Sequence, residues 1–199
     1  NASIKAIVKD NELTGSANEG DEISVVLDIT PFYAESGGQV ADTGRIIGEG
    51  FELDVKDCKK VTGERFAHIC TVISGEVKVG DSCTAKIDAK RRMSTARNHS
   101  ATHLLHKALR KHLGTHVEQA GSFVAPERLR FDFTHFKAMT KEELDLIEKE
   151  VNEAILASYK VEMKETSIDE AKRLGAMALF GEKYGEMVRV VVMGDYSAE

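Results

Sequence analysis

The first 88 residues are interrupted about every ten residues by glycine or other turn-forming residues, and short β-branched runs lie between the interruptions. This spacing predicts antiparallel strands joined by tight turns, with no long helix. We therefore expect residues 1–88 to form a small antiparallel β-barrel or sandwich domain, and of the two we favour the barrel. The predicted strands are 4–8, 22–29, 45–47, 51–55, 66–73 and 82–87.

From Lys90 onward, apolar residues recur with a helical period, which predicts a helix over 91–113 that ends at Gly114. Two capping boxes predict two later helices, one opened by Thr140 with Glu143 and one by Ser167 with Glu170. Strand-like runs lie at 117–124, 129–133, 160–165 and 188–193. Residues 89–199 are thus expected to form an α+β domain with helices packed on a mostly antiparallel sheet. The boundary between the two domains is expected near Asp88. The second helix should bury Leu144, Ile147, Val151 and Ile155, and the third should run through Ala171 and Leu174.

Composition limits the functional classes. Lys and Arg total 27 against 33 Asp and Glu, so the formal net charge is −6 and the chain as a whole does not attract polyanions. The sequence contains no run of 18 apolar residues, the length needed to span a bilayer, so we expect no membrane partner. Three cysteines without a C-x-x-C pair indicate reduced thiols and a cytoplasmic location. A start at Asn1 without Met suggests a piece of a longer protein.

His99 and His103 lie one turn apart on the predicted first helix, together with Thr102 and His106 on one face. Two imidazoles at this spacing can bind one metal ion, although zinc requires four donors, or three and a water. Ser100 follows the first histidine, where zinc peptidases carry a glutamate base. The alternative is a solvated polar helix face.

Two glycine-containing segments could approach a ligand closely, although each could equally be an ordinary turn. In the first, Gly37 and Gly38 follow an aromatic pair; in the second, Gln119 and Ser122 flank Gly121 and could recognise a small polar group. A local strip of basic residues could bind an RNA backbone, or could be ordinary helix-end charges. The strip consists of Lys90, Arg91, Arg92, Arg97, Arg110 and Lys111.

Taken in order, several segments closely resemble the editing region of the alanyl-tRNA synthetases and their free-standing editing relatives. The segments are PFYAESGGQ at 31–39, RNHSATHLLH at 97–106, QAGS at 119–122, LRFDF at 129–133, ALFGEKYG at 178–185 and VVVMGD at 190–195. Threonyl-tRNA synthetase editing domains share the helix with the two histidines but lack the glycine-rich segment.

The resemblance implies hydrolysis of mischarged seryl- or glycyl-tRNA(Ala), with the tRNA acceptor end as partner and with the ligase and its ATP site elsewhere in the same polypeptide. It implies zinc bound by His99 and His103 with a later C-x-x-x-H pair, which lies outside this chain. By position, Thr102 and Gln119 match the catalytic pocket. Ser122, Gly37, Gly38 and Arg97 are the expected substrate-binding residues.

Three other functions stay open. The chain could be a tRNA-binding module without activity, in which the histidine pair serves no purpose. It could be a free-standing deacylase, against which the missing Met weighs. A metal hydrolase for another small ester ranks last, and it would show no preference for tRNA(Ala).

Overall fold

A computed structural model describes residues 1–63, 65–173 and 187–198. In this structure, the β-branched runs between the glycines form eight strands within the first 87 residues. Their antiparallel pairing follows the order β2-β1-β4-β7-β6-β5-β8, with β3 paired to β7. Strand β8 also pairs with β1, Ala2 facing Cys83 and Ser3 facing Ser82. The strands are β1 (Ala2–Lys9), β2 (Glu12–Thr14), β3 (Ser16–Asn18), β4 (Glu22–Leu27), β5 (Gly44–Gly48), β6 (Phe51–Val61), β7 (Arg65–Lys78) and β8 (Ser82–Ile87).

These strands belong to the first of two compact units, which comprises residues 1–96 and 125–127. Alternate side chains are buried along β4, as expected for a pleated strand with one covered face, and Ile4, Val25, Ile46 and Leu53 are fully buried. His68 lies in this core and is held on both sides, because its Nε2 is 2.7 Å from Thr30 Oγ1 and its Nδ1 is 2.8 Å from the Val25 carbonyl oxygen. This histidine therefore has a packing role, and burial lowers its pKa.

The second unit comprises residues 97–124 and 128–199 and contains most of helix α1, whose first residues lie in the first unit. Its described elements are α1 (Ala89–Leu113), β9 (Gln119–Val124), β10 (Leu129–Phe133), α2 (Lys141–Leu156), β11 (Val161–Ser167), α3 (Ile168–Arg173), β12 (Met187–Met193) and β13 (Ser197–Ala198). Strands β9 and β10 form a hairpin, and β11, β12 and β13 form a separate antiparallel sheet. The units were predicted to meet near Asp88, and that boundary stays a prediction.

Helix α2 begins as the capping box predicts. The Thr140 hydroxyl accepts a hydrogen bond from the Glu143 backbone N–H, while the Glu143 carboxylate accepts one from the Thr140 N–H. The second predicted cap is present in part, since the Glu170 N–H donates to the Ser167 hydroxyl over 3.3 Å.

The apolar stripe of α2 is narrower than predicted. Ile147 is buried, and Val151 packs against the same core, but Leu144 is 47% exposed and Ile155 is 49% exposed. Ala154 is buried in place of Ile155, so the contact face follows 147, 151 and 154. The prediction for Leu144 and Ile155 was wrong because the helical period defines a broad apolar face, whereas the neighbouring elements cover only its centre.

The α+β class and the mostly antiparallel pairing are confirmed. Strands β2, β3 and β13 were not predicted, because runs of two or three residues carry too few apolar positions to show a period. Among the described residues, no helix combines the length and the apolar character needed to cross a bilayer. The predicted helix residue Leu174 and the segment 178–185 lie outside the described residues.

The hairpin of β6 and β7 offers a matched test of this architecture. Gly75 and Gly63 have nearly the same left-handed φ, +75° and +74°. A Cβ at Gly75 would overlap the Gly50 carbonyl oxygen, whereas a Cβ at Gly63 meets no described atom within 4 Å. We expect Gly75→Ala to reduce the free energy of unfolding by about 2 kcal/mol more than Gly63→Ala, because only it adds overpacking to the backbone strain. Urea unfolding followed by circular dichroism measures both, and equal losses would contradict the packing described here.

Candidate functional site

Helix α1 places two histidines side by side in the second unit. His99 and His103 are four residues apart, and their rings lie nearly parallel, with centroids 5.3 Å apart and planes 13° apart. Both side chains are half-buried. The helical repeat alone brings these rings together, since residues four apart lie one above the other on a helix surface.

Two other residues on this face of α1 are buried. Thr102 is 5% exposed and His106 is 4% exposed, so the interpretation of this face as solvated is wrong. The Thr102 hydroxyl donates to the Asn98 carbonyl oxygen over 2.9 Å. With its hydrogen committed there, the Thr102 oxygen retains lone pairs that can accept a hydrogen bond from a ligand hydroxyl or ammonium group.

The β9–β10 hairpin carries Gln119 and Ser122 on one face. Ser122 pairs with Phe131 and Gln119 pairs with Phe133, and Ala120 is an extra residue in the register between them. Without this bulge, residues three apart in a strand would point to opposite faces. The bulge therefore allows the two polar side chains to share the face of the two phenylalanines.

One ring contact connects the helix face to the hairpin. The His106 and Phe131 rings have centroids 5.2 Å apart. His106 lies one turn after Thr102, and Phe131 lies directly across from Ser122. The structure thus places Phe131 of the hairpin against His106 of α1, and both residues lie in the second unit.

The segment with Gly37 and Gly38 lies in the first unit. Its turn needs glycine, because φ is +56° at Gly37 and +79° at Gly38. The turn is closed by paired backbone hydrogen bonds between Ser36 and Gln39. This is the hairpin-type turn that was the alternative to a ligand loop, and a ligand role for the two glycines stays a prediction.

An ion pair formed by a buried aspartate holds the end of that segment. Asp42 is 4% exposed, accepts a hydrogen bond from the Tyr33 backbone N–H over 2.7 Å, and pairs with the Arg92 guanidinium. The hydrogen bond with Asp42 raises the pKa of Arg92. Arg91 donates to the Ala41 carbonyl oxygen over 2.6 Å.

The predicted basic strip is therefore largely engaged within the protein. Besides these two arginines, Arg110 donates to the Val117 carbonyl oxygen over 2.7 Å, and Lys111 lies 2.9 Å from a Glu150 carboxylate oxygen. Lys90 and Arg97 are exposed. An RNA backbone would thus find fewer available cations here than the sequence suggests.

The three cysteines supply no nucleophile. Cys58, Cys70 and Cys83 are free and buried, as expected for reduced thiols. Burial, aided by nearby carboxylates, raises the pKa of Cys58 to about 11 and also raises the pKa values of the other two. These thiols stay protonated near neutral pH and are poor nucleophiles.

His99 and His103 are suitable donors for zinc, since imidazole nitrogens one helical turn apart can converge on one ion. Within the described ranges, no group of three or more His, Cys, Asp or Glu side chains has metal-binding geometry. The pair fits two positions of a zinc site, and the other ligands would have to come from outside these ranges.

A polar cluster around Glu150 was missed by the sequence reasoning. The Glu150 side chain is 12% exposed, and one carboxylate oxygen lies 2.6 Å from His112 Nε2 and 2.9 Å from Lys111 Nζ. The other oxygen accepts a hydrogen bond from the Tyr196 hydroxyl over 3.1 Å. The cluster joins α1, α2 and the turn between β12 and β13, and no local signal marks a residue whose partners come from three separate elements.

The chain is similar in sequence, along its whole length, to known proteins. The family model for "tRNA synthetases class II (A)" matches residues 1–91. Over 198 residues, the chain is 56% identical to an "Alanine--tRNA ligase" from Acetivibrio thermocellus, a match that covers 100% of this chain and 22% of that protein.

Two further relatives carry the same name. The chain is 57% identical over 197 residues to the protein from Clostridioides difficile, and 56% identical over 199 residues to that from Thermoanaerobacter sp.. These matches cover 99% and 100% of this chain, and 22% and 23% of the relatives. The chain thus spans less than a quarter of the length of the curated relatives it matches.

The Glu150 cluster predicts a pH dependence of stability. Burial raises the pKa of Glu150, but hydrogen bonds from Lys111, His112 and Tyr196 outweigh burial and hold this pKa below its ordinary value of 4.5. A carboxyl group with a lowered folded-state pKa stabilises the fold above the unfolded-state pKa, and this contribution is lost as the pH falls through the folded-state pKa. We expect Glu150→Gln to flatten the loss of unfolding free energy between about pH 5 and pH 3.

Urea titrations at several pH values measure this slope. Glu148→Gln, on the exposed side of the same helix, is the matched control and should keep the slope of the unmodified protein. A Glu150→Gln slope equal to that of the control would refute the role assigned to the cluster.

Proposed function

Because this chain belongs to the alanine–tRNA ligase family, we propose that it carries that family's editing activity, the hydrolysis of serine or glycine from mischarged tRNA(Ala). The observation that carries the proposal is the contact of His106 with Phe131, which joins the His99, Thr102 and His103 face of α1 to the face of the hairpin with Gln119 and Ser122. Thr102 and Gln119, which the resemblance assigns to the pocket, belong to the same unit, and this supports the proposal.

A separate hydrolytic site is a physical requirement for this substrate set. Alanine and glycine differ by one methyl group, which a binding pocket discriminates by only about 10- to 200-fold. Serine adds only a hydroxyl group, which an apolar pocket rejects poorly. A second site that binds serine through its hydroxyl group favours serine over alanine, because alanine would leave the polar groups of that site without partners.

Thr102 is suited to this selection. Since its own hydrogen is donated to Asn98, its oxygen can accept the hydrogen of the serine hydroxyl. Gln119 and Ser122 offer further donors and acceptors from the hairpin. Alanine has no hydroxyl hydrogen and would not form these bonds. Alanyl-tRNA(Ala) would therefore be hydrolysed more slowly than seryl-tRNA(Ala).

The proposed reaction is ester hydrolysis. A water oxygen attacks the carbonyl carbon of the aminoacyl ester, the bond from that carbon to the ribose oxygen breaks, and a proton passes to the ribose oxygen. No described Asp, Glu or Lys is assigned as the base, so we propose that the terminal ribose hydroxyl assists the water. The role of Thr102, Gln119 and Ser122 is to bind and orient the amino acid.

We propose zinc as the cofactor, with His99 and His103 as two of its ligands and a C-x-x-x-H pair of the longer polypeptide as the others. Zinc bound there would supply positive charge beside the ester or anchor the substrate. We further propose a cytoplasmic protein whose ligase and ATP site lie elsewhere in the polypeptide. Arg97 is proposed to contact the acceptor end, and a substrate-binding role is proposed separately for the Gly37–Gly38 turn of the first unit.

We also propose that the first unit is the predicted small β-barrel, here a closed one. The ring of pairings from β1 through β4, β7, β6, β5 and β8 back to β1 supports this proposal. Such closure would leave the six paired strands without a free edge.

A matched pair of threonines tests the editing proposal. Thr95 and Thr102 both lie on α1, are 3% and 5% exposed, and donate to the carbonyl four residues earlier. We expect Thr102→Val to lower kcat/KM for seryl-tRNA(Ala) by about 10- to 100-fold, because one substrate hydrogen bond is lost, and Thr95→Val to leave it within about twofold.

Release of labelled serine by the whole natural polypeptide that carries this sequence measures the effect. A tRNA-binding module without activity would show no release with any variant. Equal losses in both variants would assign Thr102 to helix packing and contradict its role in the pocket.

The zinc proposal has its own readout. Elemental analysis of the whole natural polypeptide should give close to one zinc per chain, falling several-fold for His103→Ala since a ligand is removed. His116→Ala, which removes a histidine after the end of α1, should retain the metal. Unchanged zinc in His103→Ala would contradict the assignment.

A further inference from the structure

Three aromatic rings are stacked in the second unit, next to the end of the hairpin that carries Gln119. Phe136 lies on His116, with centroids 4.5 Å apart and planes 27° apart. His116 in turn lies on His135, with centroids 5.1 Å apart and planes 17° apart. His116 Nε2 and His135 Nδ1 are also 2.9 Å apart, within hydrogen-bonding distance.

The two connections that carry these rings are tied together by their backbones. The Thr134 hydroxyl donates to the His116 carbonyl oxygen over 2.9 Å and accepts from the Glu118 N–H over 3.1 Å. The Thr134 N–H donates to the Glu118 carbonyl oxygen over 3.0 Å. Gly114 lets the chain pass close to the stack, because a Cβ there would lie 2.9 Å from His116 Nδ1. The stack is therefore held in place before any ligand arrives.

The outermost ring is open to solvent. Phe136 is 86% exposed although one of its faces lies on His116, so most of its other face is bare. Its neighbours Thr134, Lys137 and Ala138 are also exposed, and they are polar, charged or small. A protein partner generally needs a broad contact area, whereas this surface offers a single flat ring with a lysine beside it.

We propose that Phe136 is a stacking platform for an RNA nucleobase; this inference rests on the proposed function for the identity of the ligand as RNA. A base places its flat face on an exposed aromatic ring, and such stacking tolerates any base because each has a π-face. The stacked histidines keep the ring fixed, so little side-chain entropy is lost on binding. Lys137, the next residue in the chain, is exposed and carries an ammonium group 3.7 Å from a Glu143 carboxylate oxygen.

The test uses the whole natural polypeptide that carries this sequence and an uncharged tRNA(Ala) transcript. Phe136→Ala and Phe136→Leu should each raise the Kd by about 5- to 50-fold, because the stacked base loses its π-partner. Phe136→Trp should stay within about threefold of the unmodified protein, since an aromatic ring is retained. Leu156→Ala, which removes another side chain that is 81% exposed in the same unit, is the matched control and should not change the Kd.

Two further readouts separate stacking from other roles. The slope of log Kd against log salt should be the same for Phe136→Ala and the unmodified protein, because no phosphate contact is removed. The urea midpoint should also be unchanged, because Phe136 is largely exposed. A Kd for Phe136→Leu equal to that of the unmodified protein would show that an apolar side chain suffices, and would overturn the proposal, as would absence of RNA binding.

Serine release from saturating seryl-tRNA(Ala), measured on the same proteins, distinguishes this inference from the proposed function. Loss of affinity in Phe136→Ala without any hydrolysis by the unmodified protein would support the stacking platform and reject editing. Hydrolysis with an unchanged Kd in Phe136→Ala would support editing and reject the platform.

Discussion

The repeat of helix α1 is the constraint on which the second unit depends. A period of about 3.6 residues places His99, Thr102, His103 and His106 along one side and Leu105, Ala108 and Leu109 along another. The apolar side forms a core with Val117 and Ile147, while Leu104 joins a second cluster with Ala154 and Met193. Because those contacts fix the rotation of the helix, they also fix the direction in which the histidines point. Packing and the proposed chemistry therefore depend on the same 25-residue element.

The hairpin contributes the other half of the candidate site through a departure from regular structure. A single extra residue, Ala120, changes the alternation of β9 so that Gln119 joins Ser122 on the face of Phe131 and Phe133. The phenylalanines pack on the core beside α1, and the polar residues share their face. A deletion at the bulge would reverse one of the two polar side chains while leaving the strand pairing possible.

Local signals predicted much of this arrangement, and contacts between distant residues account for the rest. The glycine spacing, the Gly114 stop and the Thr140 capping box each depend on neighbours in sequence, and the structure agrees with all three. The burial of Thr102 and His106, the exposure of Leu144 and Ile155, and the Glu150 cluster depend on which element packs where. The partners of Arg91 and Arg92 also depend on this packing. An arginine that the sequence suggests could bind RNA can equally bind a buried aspartate or a carbonyl oxygen of its own chain.

The proposed editing activity requires that this chain discriminate serine from alanine on tRNA(Ala) by hydrolysis. The most direct measurement is the single-turnover rate of amino-acid release by the unmodified natural polypeptide, with excess protein and zinc, from seryl-tRNA(Ala) and alanyl-tRNA(Ala) side by side. We expect serine to be released at least about tenfold faster than alanine, since only serine supplies a hydroxyl group to Thr102 and its neighbours. Equal rates for the two substrates, or no release above the uncatalysed rate, would contradict it.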